Sequence, residues 1–406
     1  MKVNVGVFFG GVSVEHEVSV ISALQAINAM DQDQYEPIPI YISKNKNWYT
    51  GEALLDIENY KNVDDLLKQC ERIIITTNEQ GRPVINRHTT GMFGKKFITN
   101  IDVAFPVIHG TYGEDGILQG FFELNSIPYV GCDVFSSAVG MDKVMMKQIL
   151  RDSGVPILDY HWFYSTKWLN DQDALVEKIE QELNYPVIVK PANLGSSVGI
   201  SKATNREELE EAVELAMEFA TKIVVEKMVT NLKEVNCSVL GDYEEAESSV
   251  CEEVLSSTDI LTYQDKYQSG GGNSKGGGAS KGMESTNRKI PADMSDEMTS
   301  QVQQLAKDTF QILGCAGVSR IDFLIDQNSD AVYVNEINTI PGSLSFYLWE
   351  PTGKSFQQLT SDMIQIALKR QRERESLTFS VDSNLFALHS GGAKGGGTKS
   401  KLGSNS

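Results

Sequence analysis

The stretch from Ser319 to Gly342, S-R-I-D-F-L-I-D-Q-N-S-D-A-V-Y-V-N-E-I-N-T-I-P-G, constrains this chain more than any other. It reads as two short strands joined by a polar turn at Gln327-Asn328-Ser329-Asp330. Side chains alternate along a strand, so Arg320 and Asp322 share one face and Glu336 and Asn338 share another. Ile321, Phe323 and Ile325 point the opposite way and read as core. A register that sets Asp322 opposite Glu336 also sets Arg320 opposite Asn338. Paired numbers then sum to an even value, so the hairpin loop must hold an odd number of residues or the ladder must contain a bulge. Three oxygen ligands and one guanidinium in a single patch suit a hard cation such as magnesium, which keeps waters and substrate phosphates as its other ligands. The same spacing also suits a solvated hairpin with an acidic rim.

The rest of the chain bounds what such a site could serve. At 406 residues, and with domains of roughly 100–200 residues each, two or three domains are expected. The formal net charge of −19 argues against general nucleic-acid binding. No apolar run approaches the roughly 20 residues that span a bilayer. Met1–Val7 reads as a strand and not as a signal peptide, so no membrane partner and a cytoplasmic location are expected. The cysteines are scattered without a C-x-x-C pair, which favours reduced thiols over zinc ligands or disulfides.

Val3–Phe9 is an apolar strand ending at Gly10-Gly11. A helix with Val20, Leu24 and Ile27 on one face follows, the opening of a βαβ unit. The turn lacks G-x-G-x-x-G, and Glu15 and Glu17 at the helix start would repel an anion. They suit an ammonium group near Glu15, although acids in a first helical turn also simply complement the helix dipole. A strand over Ile101–Ile108 delivers His109-Gly110-Thr111-Tyr112-Gly113-Glu114-Asp115-Gly116 to its C-terminal end, where ligands sit in open α/β sheets. A helix through Leu118–Leu124 and a strand at Pro128–Val130 complete this unit.

Met141-Asp142-Lys143 begins a helix to about Arg151, which Gly154-Val155-Pro156 ends, and a first domain boundary is expected near there. Tyr185–Pro191 is a strand carrying Lys190 near its end. Asn193-Leu194-Gly195-Ser196-Ser197-Val198-Gly199 then forms a hairpin loop whose N–H groups and hydroxyls could fold over a phosphate above a lysine. It is not a Walker A loop, since G-K-[ST] is missing. A flexible hairpin tip is the plainer alternative. Arg206–Ala220 is an amphipathic helix. Lys222–Met228 is a strand whose Glu226 and Lys227, with Glu234 further on, could meet a purine edge and ribose hydroxyls. Gly270–Gly282 is nearly all Gly, Ser, Lys and Asn, and reads as a spacer or a lid. Helices are expected over Ser295–Leu313 and Ser355–Arg374, with a disordered tail after that.

Taken in order, these pieces resemble the D-alanine–D-alanine ligase family of the ATP-grasp fold. The matching stretches are G-G-V-S-V-E-H-E-V-S (10–19), H-G-T-Y-G-E-D-G-I-L-Q-G (109–120), M-D-K (141–143), V-I-V-K-P through G-S-S-V-G (187–199), V-V-E-K (224–227), D-K-Y (265–267), S-R-I-D (319–322) and N-E-I-N-T-I-P-G (335–342). The resemblance implies an α/β (α+β) chain with three domains: an N-terminal Rossmann-like parallel-sheet domain over 1–144, a central ATP-grasp subdomain over 145–228, and a C-terminal one over 229–374 with a lid at 265–292. It implies ATP-driven joining of two D-alanines through an acyl phosphate, for peptidoglycan synthesis. D-serine or D-lactate as acceptor is the alternative, and a non-catalytic ATP-binding protein a more distant one.

By motif, Asp322, Glu336 and Asn338 correspond to ligands of two magnesium ions, for which manganese could substitute. Lys143, Lys190 and Lys266 correspond to phosphate-binding lysines, with Ser197 in the flap. Glu226, Lys227 and Val229 correspond to adenine contacts and Glu234 to the ribose contact. Glu15 would hold the first ammonium and, with Ser196 and Tyr267, latch the lid. Arg320 and the Gly342 N–H would stabilise the oxyanion, and His109 would sit near the first substrate. The acceptor's carboxylate is usually held by a Ser-Leu pair; here those positions are Tyr347 and Leu348. The family is compatible with a homodimer.

Overall fold

A computed structural model describes residues 2–88, 96–195, 198–255 and 288–378. Residues 1–368 form one compact unit, and a second begins at Lys369. The described strands fall into three sheets.

The first sheet contains β1 (Val3–Gly10), β2 (Tyr35–Ile42), β3 (Trp48–Thr50), β4 (Glu71–Thr77), β5 (Pro83–Arg87), β6 (Phe97–Asn100) and β7 (Val103–Pro106), in the order β6-β5-β4-β3-β2-β1-β7. β1 lies parallel to both β2 and β7. The other pairs are antiparallel. The expected parallel sheet therefore spans three strands only. A parallel crossover needs a dozen or more residues, and links such as that from Ile42 to Trp48 are too short for one. The strand expected over Ile101–Ile108 is cut to four residues, and Pro128–Val130 contributes a single bridge, Ala104 to Tyr129. Helix α1 (His16–Ala29) buries Val20, Ala23, Leu24 and Ile27 as its periodicity requires. α2 (Val63–Lys68), α3 (Ile117–Leu124), α4 (Val134–Met141) and α5 (Lys143–Asp152) follow.

The second sheet holds β8 (Tyr160–Tyr164), β9 (Val187–Pro191), β10 (Ser201–Ala203) and β11 (Lys222–Lys227), antiparallel in the order β10-β9-β11-β8. α6 (Ser165–Asn170), α7 (Gln172–Leu183) and α8 (Arg206–Met217) accompany it. Leu175, Ile179, Leu209 and Val213 from these helices enclose Val187, Val189, Ile223 and Val225.

The third sheet runs β14-β13-β12-β15-β16, from β12 (Leu232–Gly241), β13 (Ala246–Val254), β14 (Arg288–Lys289), β15 (Gly317–Asp326) and β16 (Ala331–Asn338). Helix α9 (Asp296–Ile312), capped by Ser295, covers one face, where Val302, Ala306 and Phe310 meet Val235, Cys237, Ile321, Phe323 and Val334. Helix α10 (Phe356–Glu375) is the last described helix, and its Leu359, Met363 and Ile364 are buried.

The β15–β16 register is the expected one, reached by the bulge. Leaving the turn, Asp326 pairs with Ala331 and Phe323 with Val334; beyond it, Asp322 pairs with Glu336 and Arg320 with Asn338. Asn335 is the extra residue. It rotates the end of β16, so that Val332 and Val334 are core on one side of it and Ile337 on the other.

Candidate active site

The C-terminal ends of β1 and β7 lie side by side. A side chain on Gly10 would strike the Ile42 carbonyl, and its φ of +89° is left-handed, so glycine is required there. Helix α1 is pinned across both strand ends by Ser19, whose hydroxyl accepts from Gly10 N (2.8 Å) and donates to Val107 O (2.6 Å). That anchor places Glu15, just ahead of α1, beside Gly110; a Cβ there would sit 2.7 Å from a Glu15 carboxylate oxygen.

His109 is buried, with Nδ1 2.7 Å from Ile340 O and Nε2 2.9 Å from Ser22 Oγ. A carbonyl only accepts, so Nδ1 carries the proton. Burial pushes the ring's pKa down, which keeps it neutral, and Nε2 then accepts from the Ser22 hydroxyl. Ser22 Oγ also accepts from Ser343 N at 2.9 Å. His109 thus braces the turn that contains Gly342. That turn holds three successive left-handed residues, Ser343, Leu344 and Ser345, each costing roughly 1–2 kcal/mol. Such strain is retained where surrounding structure over-determines it.

Glu114, not singled out in the sequence, is a second brace. Its carboxylate accepts from Gly110 N (2.8 Å) and Ile340 N (2.7 Å), tying the loop after β7 to the segment after β16. Burial, reinforced by the nearby Glu15 charge, pushes its pKa up to about 8 despite those two bonds. The signal available was a carboxylate within a glycine-rich loop at a strand's C-terminal end.

Asp142 caps α5 by accepting from Val144 N and Met145 N. This fixes Lys143 at the first helical position, where Nζ donates to Leu194 O (2.9 Å) and pairs with Glu336 Oε2 (3.2 Å). Lys190, on β9, donates to Glu226 Oε2 (2.6 Å) and to Asn335 Oδ1 (3.1 Å). Lys147 meets the other oxygen of Glu226 at 3.0 Å. Burial works against ionisation of Glu226, yet the two lysines hold its pKa down to about 2. The Glu226 side chain is thus sealed between two lysines and does not present an open edge to a purine. Lys227 is exposed, Val229 half-buried, and Glu234 lies on β12, close enough to favour the charged form of Lys190. Lys147 escaped the sequence reading because nothing in its helical spacing marks it apart from a solvated lysine.

On the half-buried face of β15 that is turned from α9, Arg320 grips Asp322 in a two-pronged contact, Nε to Oδ1 at 2.7 Å and Nη2 to Oδ2 at 2.8 Å. Asn338 Nδ2 donates to Asp322 Oδ2 at 3.0 Å. One cleft is lined by Glu15, Gly110, Glu114, Lys143, Gly195, Glu336, Asn338 and Thr339. Tyr347 is half-buried and Leu348 fully buried. Ser196, Ser197, Lys266 and Tyr267, with most of the expected lid and tail, lie outside the described residues. Among the described residues no group of three or more His, Cys, Asp or Glu is clustered for a metal ion. The hairpin offers two carboxylates and one amide, a donor set that fits magnesium when substrate oxygens complete the shell.

Comparison with known proteins matches this architecture. Residues 4–132 match the model for the D-ala D-ala ligase N-terminus, and residues 149–365 that for the D-ala D-ala ligase C-terminus. A D-alanine--D-alanine ligase of Thermosipho melanesiensis is 41% identical over 388 residues, covering 96% of this chain and 99% of that one. One from Bacillus cytotoxicus is 37% identical, covering 94% and 99%. Among solved structures, the VanG D-Ala:D-Ser ligase of Enterococcus faecalis superposes with a TM-score of 0.75 at 31% identity, covering 90% of this chain and 100% of that one. The D-alanine-D-alanine ligase of Coxiella burnetii superposes with a TM-score of 0.73 at 29% identity, covering 92% and 96%. The chain is a member of the D-alanine–D-alanine ligase family and has its ATP-grasp fold.

Proposed function

We propose that this protein joins two D-alanines at the expense of ATP, for peptidoglycan synthesis. The observation that carries the reading is the meeting of Glu15, Lys143, Glu336 and Asn338 in one cleft, with Arg320 and Asp322 paired on the same strand face. An ammonium carboxylate, a phosphate lysine and a hard-cation face are what a carboxylate-phosphorylating ligase must bring together.

A carboxylate is a poor acceptor for an amine. Phosphorylation by ATP supplies a leaving group, and the second amine then attacks the acyl phosphate. Glu15 orients the first amino acid by its ammonium, and His109 and Glu114 keep the walls of that seat in place. Lys143 and Lys190 hold phosphate oxygens, with Lys266 and the Ser196–Ser197 flap added on closure and Tyr267 in the latch. Lys227 and Val229 meet the adenine and Glu234 the ribose; Glu226 contributes by fixing Lys190. Asp322, Glu336 and Asn338 would hold magnesium, which neutralises phosphate charge when bound. Arg320, held on the same strand face by Asp322, and the Gly342 N–H would stabilise the tetrahedral oxyanion. Tyr347 and Leu348 border the acceptor. The protein acts on small substrates in the cytoplasm; among the described residues no helix is long and apolar enough to cross a membrane.

The test is phosphate release measured against a panel of acceptors, D-alanine, D-serine and D-lactate, with the product weighed by mass spectrometry. D-alanyl-D-alanine as the main product supports the reading. Turnover with another acceptor and none with D-alanine would replace it by the second reading, which Tyr347 in place of serine favours.

A further inference from the structure

The β12–β13–β14 end of the third sheet carries charges that the scheme above leaves unused. Asn236 stands opposite Asp322, and Glu252 stands opposite Asn236. Glu336, Asp322, Asn236 and Glu252 therefore form one row across four strands, on the face away from α9. Glu252 ends that row and is only 1% exposed. One of its oxygens accepts from Asn236 Nδ2 at 2.7 Å, and the other lies 3.4 Å from Arg288 Nη1. Arg288 Nη1 also donates to the Tyr347 hydroxyl at 2.9 Å, and the guanidinium lies 5.4 Å from the centre of the Tyr347 ring. The row runs on to Glu336 in the wall of the cleft, and the Glu252 carboxylate lies near enough to favour the charged form of Arg320, so this group adjoins the cleft.

We propose that Arg288, braced by Glu252 and stacked on Tyr347, takes the α-carboxylate of the acceptor, and that Glu252 makes this seat selective for amino acids over hydroxy acids. The inference rests on the ligase reading above. A guanidinium presents several N–H donors in a planar fork that matches a carboxylate, which a single hydroxyl cannot do. The Tyr347 oxygen already accepts from Arg288, and its proton remains for donation to the same carboxylate. Tyr347 at the expected serine position is then no loss, because Arg288 supplies the donors, and with them a positive charge, that answer the carboxylate. Glu252 sets a fixed negative charge beside the seat. A zwitterion answers it with an ammonium; a hydroxy acid brings only its own anion and is disfavoured.

The experiment compares wild type with Arg288→Met, Arg288→Lys and Glu252→Gln, each checked for folding by thermal melt. KM for acceptor, donor and ATP is measured separately, and D-alanine competes with D-lactate for one pool of activated donor. Loss of a charged hydrogen bond raises acceptor KM about tenfold or more in Arg288→Met. Arg288→Lys recovers part of that, and KM for ATP stays within about twofold. Glu252→Gln raises the ratio of ester to peptide product about tenfold. An active Arg288→Met enzyme with unchanged acceptor KM overturns the carboxylate assignment, as does unchanged acceptor KM in Arg288→Lys if the methionine variant does not fold. An unchanged product ratio in Glu252→Gln overturns the selectivity. Wild type that releases no phosphate with any acceptor defeats the ligase reading instead.

Discussion

Two groups of paired charges lie close together and behave differently. Between β9, β11 and α5, the Glu226 carboxylate is locked between Lys147 and Lys190, with side-chain exposures of 1%, 0% and 9%. On β15 and β16, Asp322 and Glu336 are paired with Arg320 and Lys143, but at 15% and 22% exposure. Where water is excluded, each charge must be answered by the protein itself, and removing one partner strands the others. Where water still reaches, a carboxylate can exchange its partner for a ligand at small cost. The first group is enclosed support, while the proposed scheme asks the second to exchange partners; Lys190, the most exposed member of the first at 9%, is also the one given a phosphate role and connects the two through Asn335.

The largest effect should come from breaking the enclosed group. Glu226→Gln leaves two buried lysines without their counter-charge and should destabilise the fold by about 3–5 kcal/mol, read by chemical denaturation. Because the Glu226 pKa is held down to about 2 from its ordinary 4.5, its stabilisation is complete above about 4.5 and vanishes as pH falls through about 2. A variant with wild-type acid stability would mean that the cluster is not scaffold. Glu336→Gln should do the reverse. Its stability should change little, while kcat drops about 100-fold through weakened cation binding, and excess magnesium should restore part of the loss. Wild-type turnover would remove the cation assignment.

Glu114→Gln sharpens the contrast, since Glu114 is enclosed yet answered by two N–H groups and the Thr339 hydroxyl in place of a cation. Its pKa is raised to about 8, so its favourable contribution is full below about 4.5 and lost once pH passes about 8. The glutamine variant should flatten the decline in melting temperature between those limits. Asn335→Ala, which cuts the link between the two groups, should cost only about 1 kcal/mol. A much larger loss would show that they act as one unit.

The face pattern of Arg320, Asp322, Glu336 and Asn338 was legible because β-strand alternation is rigid, and parity alone required an odd loop or a bulge. The four-residue turn from Gln327 to Asp330 kept the ladder odd, so the bulge had to supply the correction. Lys143 and Lys190 were singled out by motif order, and the fold sets them beside Glu336 and Asn335. Glu114 and Lys147 were not, because their roles come from contacts hundreds of residues or a whole sheet away: Glu114 reaches Ile340, and Lys147 reaches Glu226. Glu226 was singled out from its motif, but the direction of its side chain was not legible, since no sequence pattern says which side of β11 meets α5. The antiparallel extension of the first sheet was hidden for another reason. Residues 44–100 carry short, weakly patterned strands whose pairing depends on link length more than on side-chain type.

Asn335 has a consequence for how this hairpin can vary. Its side chain is replaceable, and so is its place in the count. Deleting Asn335 would let the ladder run straight from Phe323–Val334 to Asp322–Glu336, and Glu336 and Asn338 would keep their face. Keeping Asn335 while flattening the bulge is what would break the pattern: Glu336 would then stand opposite Ile321 and turn toward α9, and Ile337 would turn away from it. Lineages of this chain should therefore carry either a bulged β16 or one a residue shorter, with the same face pattern in both.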